Sequence, residues 1–250
     1  MKKVILSVSV MLATSVAFAQ GNMSSVSQVG LGQTALVDQS GLMNLGTSLQ
    51  HGLLNDTKLK QAGAFNESHV FQVGLGNASV VDQWGIANDS KMTQAGSFNT
   101  AITMQAGLAN GADVDQEGVD NYSVVGQIGS YNAAFVTQDG ICNQAHVVQV
   151  GEANDAVVDQ DGMANSALQT QTGYDNYGYI YQDGFLNLSV QTQSGSCNDA
   201  ASYQYGTLNS SVITQFGLHN DAVTIQEGIG QFSSVMQSGL GNHSMIFQAN

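Results

Sequence analysis

The chain has 250 residues, contains no proline and no arginine, and carries a formal net charge of −14 at pH 7. A chain this acidic lacks the basic patch that phosphate contacts require, which excludes a nucleic-acid-binding protein. Its length fits one or two ordinary domains, but an unbroken internal repeat favours a single elongated domain.

The N-terminal segment, residues 1–19, has the pattern of a secretory signal peptide. Lys2 and Lys3 form a charged start, residues 4–12 form a mainly apolar core, and residues 17–19 are Ala-Phe-Ala, a small-x-small cleavage site. The apolar run is too short for a membrane anchor, which needs about 20 residues. We therefore predict a mature chain that starts at Gln20, with a short segment at 20–27 and a repeat domain at 28–250.

The repeat is defined by glutamine, which recurs at every eleventh position from Gln28 to Gln248 without exception. A glycine stands two residues after each of these glutamines except the last, and an asparagine stands three residues further on. Only Gln33 and Gln231 replace that asparagine. The unit is therefore Gln-x-Gly-x-x-Asn-x-small-x-apolar-x, and such a strict period predicts a repeat architecture.

Within a unit the pattern has a period of two, which is typical of a β-strand and not of a helix. In residues 132–142, one face carries Asn132, Ala134, Val136 and Gln138. The sequence predicts a strand from Asn132 to Gln138 and a turn from Asp139 to Cys142, centred on Gly140, because glycine tolerates positive φ.

Comparison of 20 units shows which face is interior. The second residue after each Asn position is always small, and the fourth is Val, Ile, Leu or Met in 14 of the 20 units. The opposite face follows no such rule, as a surface would. Two units facing each other would bury their apolar faces, giving an all-β β-solenoid of the cross-β type, with two strands in each 22-residue rung and about ten rungs. Glutamine-rich and asparagine-rich composition is also typical of disorder, but a disordered chain would not keep this period.

The pattern resembles the curlin repeat. Residues 105–116, Gln-Ala-Gly-Leu-Ala-Asn-Gly-Ala-Asp-Val-Asp-Gln, have the expected residue at every fixed position, as do residues 149–160. The resemblance implies a bacterial functional amyloid: a β-solenoid subunit of an extracellular fibre on the cell surface that supports biofilm and adhesion. It also implies three partners, namely further copies of the chain, a nucleator subunit and an outer-membrane secretion pore. The chain departs from known major subunits in using Asn almost throughout at the strand start and in having only residues 20–27 before the repeats.

The candidate self-assembly residues are the amides and glycines that recur in every rung. Gln and Asn side chains stacked at a fixed spacing can hydrogen-bond along the stack as ladders. An end rung with the same ladder can therefore be continued by another copy. The ladder candidates are Gln28, Gly30, Gln39, Gly41, Asn44, Gln50, Asn55, Gln226, Gln237, Asn242 and Gln248.

A set of acidic residues recurs two units apart, so the rungs should stack them in one column: Glu117, Asp139, Asp161 and Asp183. One interpretation is an exposed acidic edge that keeps the precursor soluble. The other is a brake on assembly, acting by charge repulsion and relieved by protons or divalent cations.

The remaining residues indicate no catalytic chemistry. Cys142 and Cys197 are five units apart, which places them on opposite edges of the rod, so we predict no disulfide within the chain; both are free or link chains. The five histidines show no metal-ligand spacing, and we expect no cofactor and no enzymatic activity. Besides a major fibre subunit, the sequence leaves open a nucleator subunit, a non-polymerising solenoid adhesin and a solenoid carbohydrate enzyme.

Overall fold

A computed structural model describes residues 21–250 as two parallel β-sheets wound from one continuous path. The predicted signal peptide lies outside the described residues. The odd-numbered strands form an 11-stranded sheet: β1 (Met23–Leu31), β3 (Leu45–Leu53), β5 (Glu67–Leu75), β7 (Asp89–Ser97), β9 (Gly111–Val119), β11 (Ala133–Ile141), β13 (Asp155–Met163), β15 (Tyr177–Phe185), β17 (Asp199–Thr207), β19 (Asp221–Ile229) and β21 (His243–Ala249). The even-numbered strands form a 10-stranded sheet: β2 (Thr34–Leu42), β4 (Asp56–Ala64), β6 (Ala78–Ile86), β8 (Thr100–Leu108), β10 (Tyr122–Ser130), β12 (Gln144–Glu152), β14 (Ser166–Tyr174), β16 (Leu188–Ser196), β18 (Ser210–Leu218) and β20 (Phe232–Leu240).

Every strand pairs in parallel with the strand two units away, and each residue lies beside its counterpart in that unit. Gln138, for example, lies between Gln116 and Gln160. The predicted β-solenoid with two strands per 22-residue rung is therefore confirmed. The first strand begins at Met23, inside the segment predicted at 20–27, because each strand starts one residue after the Asn position and Asn22 occupies that position.

The interior is the face that the repeat predicts. Asn132, Ala134, Val136 and Gln138 are each at most 1% exposed, whereas Phe135 and Thr137 face solvent. The small residue in each unit lets the two sheets approach, and the apolar residue beside it fills the space between them. The core is thus a narrow column of Val, Ile, Leu, Met and Ala with amides along both sides.

The predicted turn at Asp139–Cys142 needs correction. β11 continues through Gly140 to Ile141, and the chain bends at Cys142 and Asn143. Residues in this arc pair with the arcs above and below in the same register, as Ile141 does with Met163, so the ladder extends past the straight part of the strand. The arcs of successive rungs therefore stack on one another in register, as the straight parts of the strands do.

Each arc uses two positive-φ residues. Gly140 has φ of 114°, and its neighbour two residues on, Cys142, has φ of 58°. Gly140 also has no room for a side chain, because an added Cβ would overlap the carbonyl oxygen of Gly162 in the next rung. The glycine is therefore required by the stacking distance as well as by its φ. The left-handed residue before each Asn position is seldom a glycine, so the repeat pattern offers little sign of that conformation.

Candidate self-assembly site

Two glutamine ladders run through the interior, one behind each sheet. In each ladder a glutamine Nε2 donates to the Oε1 of the glutamine two units later. The ladder of the odd-numbered sheet begins with Gln28 donating to Gln50 at 2.7 Å and ends with Gln226 donating to Gln248 at 3.0 Å. The other Nε2 hydrogen of Gln50 reaches the backbone oxygen of Thr34 in the opposite sheet at 2.8 Å. Each ladder glutamine thus joins successive rungs and ties the two sheets together, which satisfies an amide that is otherwise buried.

The asparagine ladders run in the opposite sense. The backbone N–H and Nδ2 of Asn132 both donate to Oδ1 of Asn110, at 3.2 and 2.9 Å. Nδ2 also donates to the backbone oxygen of Gly151 at 3.0 Å, which fastens the arc of the next rung. Asparagine therefore holds the bend that glycine makes possible.

The predicted ladder residues occupy these positions. Gln39 donates to Gln61 at 2.7 Å, and Gln237 accepts from Gln215 at 2.9 Å. The backbone N–H groups of Asn44 and Asn242 donate to Oδ1 of Asn22 and Asn220, at 2.9 and 3.1 Å.

The remaining predicted residues belong to the same network. Asn55 is buried and accepts the backbone N–H of Asn77 at 3.0 Å. Gly30 and Gly41 have φ of 143° and 103°, and a Cβ on either would meet the glycine carbonyl of the next rung.

The direction of the ladders makes the two ends of the rod complementary. At the C-terminal end, Gln237 and Gln248 each have an Nε2 hydrogen with no further glutamine to reach. At the N-terminal end of residues 21–250, Gln28 and Gln39 have Oε1 atoms with no preceding glutamine to accept from. Donors at one end and acceptors at the other favour head-to-tail contact, because two like ends would bring donor to donor.

Within the part of the chain that the structure describes, neither end of the rod is covered by a cap. Every residue of β1 except Val26 is exposed, and in β21 the inward-facing Ile246 and Gln248 are only half-buried. Soluble repeat proteins close their end units with polar or irregular caps. Here the last rungs have the same inward residues as the middle ones and leave their strand edges open.

The end strands are also poor in charge. β1, β20 and β21 contain no Asp, Glu or Lys, and β2 contains only Asp38. All other acidic residues lie between Asp56 and Glu227. Charges on an edge strand oppose pairing with another strand, and these four strands carry only one.

The acidic column exists as the spacing predicts. Glu117, Asp139, Asp161 and Asp183 are exposed and occupy successive strands of the odd-numbered sheet. Tyr205 follows in the same column. Within residues 21–250, no group of three or more His, Cys, Asp and Glu side chains is arranged to hold a metal ion.

The two cysteines lie in arcs on opposite edges of the rod, after β11 and after β16. Both are free thiols. Each lies over an aspartate of the preceding rung, with Cys142 Sγ 3.6 Å from Asp120 and Cys197 Sγ 3.7 Å from Asp175. Slight desolvation, followed by the adjacent carboxylate, raises the pKa of both thiols.

The core has a polar break that the sequence analysis did not interpret. Gln169 and Gln191 occupy the apolar position of their units and are at most 1% exposed. Gln191 donates to the backbone oxygen of Tyr179 at 2.8 Å, but neither amide atom of Gln169 has a partner. Gly178 makes room for Gln169, since a Cβ there would overlap its Nε2. The two residues stood out in the sequence only as exceptions to an apolar column.

Comparison with known protein families gives a match to the repeat. Residues 107–140 match the family model described as the curlin associated repeat. This stretch contains the repeat glycines Gly107, Gly118, Gly129 and Gly140, and their spacing continues through the units on both sides. A comparison with curated proteins gave no match. No helix long and apolar enough to cross a membrane occurs in residues 21–250.

Proposed function

From the curlin associated repeat that this chain carries, we propose that it is a structural subunit of a curli-type amyloid fibre and that it polymerises end to end. One observation carries the proposal: both ends of the rod expose uncapped strands whose ladders are complementary, with glutamine donors at the C-terminal end and glutamine acceptors at the N-terminal end. Adding a copy repeats at the junction the hydrogen bonds already present at every rung.

Two features of the sequence support an extracellular structural role. The signal-peptide pattern and the family resemblance both favour a fibre outside the cell, on the bacterial surface, where it would contribute to biofilm and adhesion. A nucleator subunit and an outer-membrane secretion pore are the proposed partners, on the same resemblance. The regular acidic outer faces offer no isolated cluster of distinct residues of the kind that catalysis uses, and we propose no enzymatic activity.

The acidic column is proposed as a brake on this assembly. Carboxylates on adjacent strands, about 4.8 Å apart, repel one another. The repulsion falls when divalent cations screen the charges, so fibres should form faster with added calcium. Replacing Glu117 by Gln and Asp139, Asp161 and Asp183 by Asn should remove most of that response to calcium. An unchanged response would leave the column as a solubilising edge only.

The fibre itself is tested with two variants of one end strand. Val26→Asp places a charge on the inward face of β1, which is partly open in the single chain but would be buried at a junction. Ser27→Asp places the same charge on the outward face of the same strand. In purified mature chains, sedimentation and amyloid-dye binding should show fibres for the unmodified chain, and Val26→Asp should slow elongation at least tenfold more than Ser27→Asp does.

Fibre diffraction of the unmodified chain should give the strand spacing of about 4.8 Å along the fibre axis. A chain that stays monomeric at high concentration, with intact β-structure by circular dichroism, would overturn the fibre role. That result would instead favour a non-polymerising adhesin.

A further inference from the structure

The number of strands determines how one copy must sit on the next. Residues 21–250 form 11 strands in one sheet and 10 in the other, so β1 and β21 belong to the same sheet. The solenoid path alternates between the sheets, and the next strand after β21 would lie on β20, in the even-numbered sheet. A second copy that continues the path therefore begins on the opposite side from the first.

We propose that copies of this chain join head to tail with a half-turn about the rod axis, so that β1 of the next copy pairs with β20 and its β2 pairs with β21. This inference rests on the proposed fibre and specifies its junction. Joining without the half-turn would place β1 of the next copy on β21. The 10-stranded sheet would then lack one strand at every junction, with a gap of about 10 Å where about 4.8 Å is the paired distance.

Side chains at the two ends match in the half-turn arrangement. In the interior, the register of the stack would place Val26 of the next copy on Val235, and Val37 of the next copy on Ile246. On the outer faces it would place Met23 on Phe232 and Leu36 on Met245, all four of which are more than half exposed in the single chain.

Without the half-turn, the same positions meet polar side chains: Met23 would lie against His243, and Met245 against Ser25. Phe247 favours neither arrangement, because it lies against Asp38 with the half-turn and against Ser27 without it. Burial of apolar surface, at roughly 25 cal/mol per Å², therefore favours the half-turn.

The first asparagine column favours neither arrangement. The half-turn places Asn22 of the next copy above Gln231. Within the chain, Asn55 lies above Gln33 in the same way, and there Asn55 Nδ2 donates to the backbone oxygens of His51 and Gly74 while Gln33 Oε1 has no hydrogen-bond partner.

The second asparagine column continues through the junction. The half-turn places Gln33 of the next copy above Asn242, as Gln231 lies above Asn209 within the chain, where the backbone N–H of Gln231 donates to Asn209 Oδ1 at 3.1 Å. Without the half-turn, Asn22 of the next copy lies above Asn242, and Gln231 faces the gap left by the missing strand.

The consequence is a fibre whose faces alternate. The acidic column lies on the odd-numbered sheet of each copy, so it would switch sides from one copy to the next. With two strands per rung, one copy advances the stack by about 50 Å and the arrangement repeats after about 100 Å.

Cysteine cross-linking across the junction distinguishes the two arrangements. Both test chains carry Cys142→Ser and Cys197→Ser, and both add Ser25→Cys on the outer face of β1. The first adds Ser234→Cys, the register partner of Ser25 with the half-turn, and the second adds Met245→Cys, its partner without it. Paired strands lie within the Cα distance that a disulfide requires, and the two ends of one copy are too far apart to link to each other.

Fibres of each chain are oxidised and separated on a non-reducing gel. We expect a ladder of covalent multimers from the Ser25/Ser234 chain and monomer from the Ser25/Met245 chain. Fibres that cross-link only in the Ser25/Met245 chain, or in neither, overturn the half-turn while the fibre itself stands. An unmodified chain that forms no fibres overturns the proposed function, and the half-turn with it.

A second measurement does not depend on disulfide geometry. Thr137→Cys, in the background without the native cysteines, carries a gold label on the outer face of β11. By electron microscopy the labels should alternate between opposite sides of the fibre. Deleting one unit, positions 144–154, makes the number of strands even and should put all labels on one side. Labels on one side in the chain of full length would contradict the half-turn.

Discussion

Two stretches of the rod have the same turns and the same ladders but differ in what fills the space between the sheets. In the valine-lined segment, β9 to β13, the apolar position of every unit is valine: Val114, Val125, Val136, Val147 and Val158. In the polar-lined segment, β14 to β19, it is mostly polar: Gln169, Ile180, Gln191, Ser202, Ile213 and Thr224. The buried apolar cluster that includes the valine-lined segment ends at Ile180, inside the polar-lined segment, and a separate cluster begins at Ala200.

The difference shows that the ladders alone carry the stack past a break in its core. Gln169 and Gln171 are the same residue type, two positions apart on one inward face. Gln171 donates to Gln193 and accepts from Gln149, both at 2.9 Å, whereas Gln169 is buried without a partner. The strand pairing on both sides of Gln169 keeps the register of the stack. A buried amide is therefore stabilising at the ladder position and costly two residues away on the same face of the strand.

The largest expected effect breaks the ladder within the polar-lined segment. Gln171→Met removes both of its ladder hydrogen bonds and leaves the amides of Gln149 and Gln193 without a partner on that side. The local free energy of unfolding should fall by about 3 kcal/mol, since each unsatisfied buried group costs about 1–3 kcal/mol. Hydrogen exchange measured by mass spectrometry on peptides spanning β12 to β16 would show faster exchange there and no change near β5.

The matched change at the neighbouring inward position should have the opposite sign. Gln169→Met keeps a similar side-chain volume and removes two unpaired amide atoms from the core, so it should stabilise β14 by about 2 kcal/mol. The same peptides would then exchange more slowly than in the unmodified chain. If both substitutions destabilised the rod, the distinction between ladder and core glutamines would be wrong.

A smaller effect concerns the arcs, which the two segments share. Ala153 has φ of 56°, a conformation that costs a non-glycine residue roughly 1–2 kcal/mol. Ala153→Gly should therefore stabilise its rung by about 1 kcal/mol. The control is Ala156→Gly, a buried strand position with ordinary φ, where the expected change is a loss of about 1 kcal/mol. Equal effects at the two positions would show that the arcs are unstrained.

The smallest effect is a pH dependence on the outer faces, shared by both segments. Burial is the main cause that raises the pKa of Asp159 in one segment and of Asp199 in the other; Asp161 and Asp221 add repulsion. A raised folded-state pKa means that the folded chain binds the proton more tightly than the unfolded chain does. Stability should therefore increase as pH falls through the raised value towards the ordinary 3.8 and be lost as pH rises again.

Urea midpoints measured between pH 7 and pH 4 would show this increase, with fibre formation suppressed by Val26→Asp. Asp159→Asn and Asp199→Asn should each reduce it by a similar amount. A reduction in only one of them would tie the pH response to one segment.

Much of the fold could be predicted because the same sequence pattern recurs in every unit. The inward face, the 22-residue rung and the two parallel sheets all follow from a period of two within a unit and an exact repeat between units. The candidate site was predictable for the same reason, since a glutamine that recurs at every rung must lie beside its own copies. The left-handed residue before each asparagine was not predictable, because residues as different as Cys142 and Ala153 take that conformation.

The architecture follows from the repeat alone, because only stacked identical units satisfy so strict a pattern of buried amides. The features that depend on contact with one particular residue could be found only from the three-dimensional structure. Gly140 faces a carbonyl of the next rung, Gln169 is buried without a partner, and Asn22 and Gln231 leave a donor and an acceptor open at opposite ends. These facts depend on distances between strands far apart in the chain, which a local pattern does not contain.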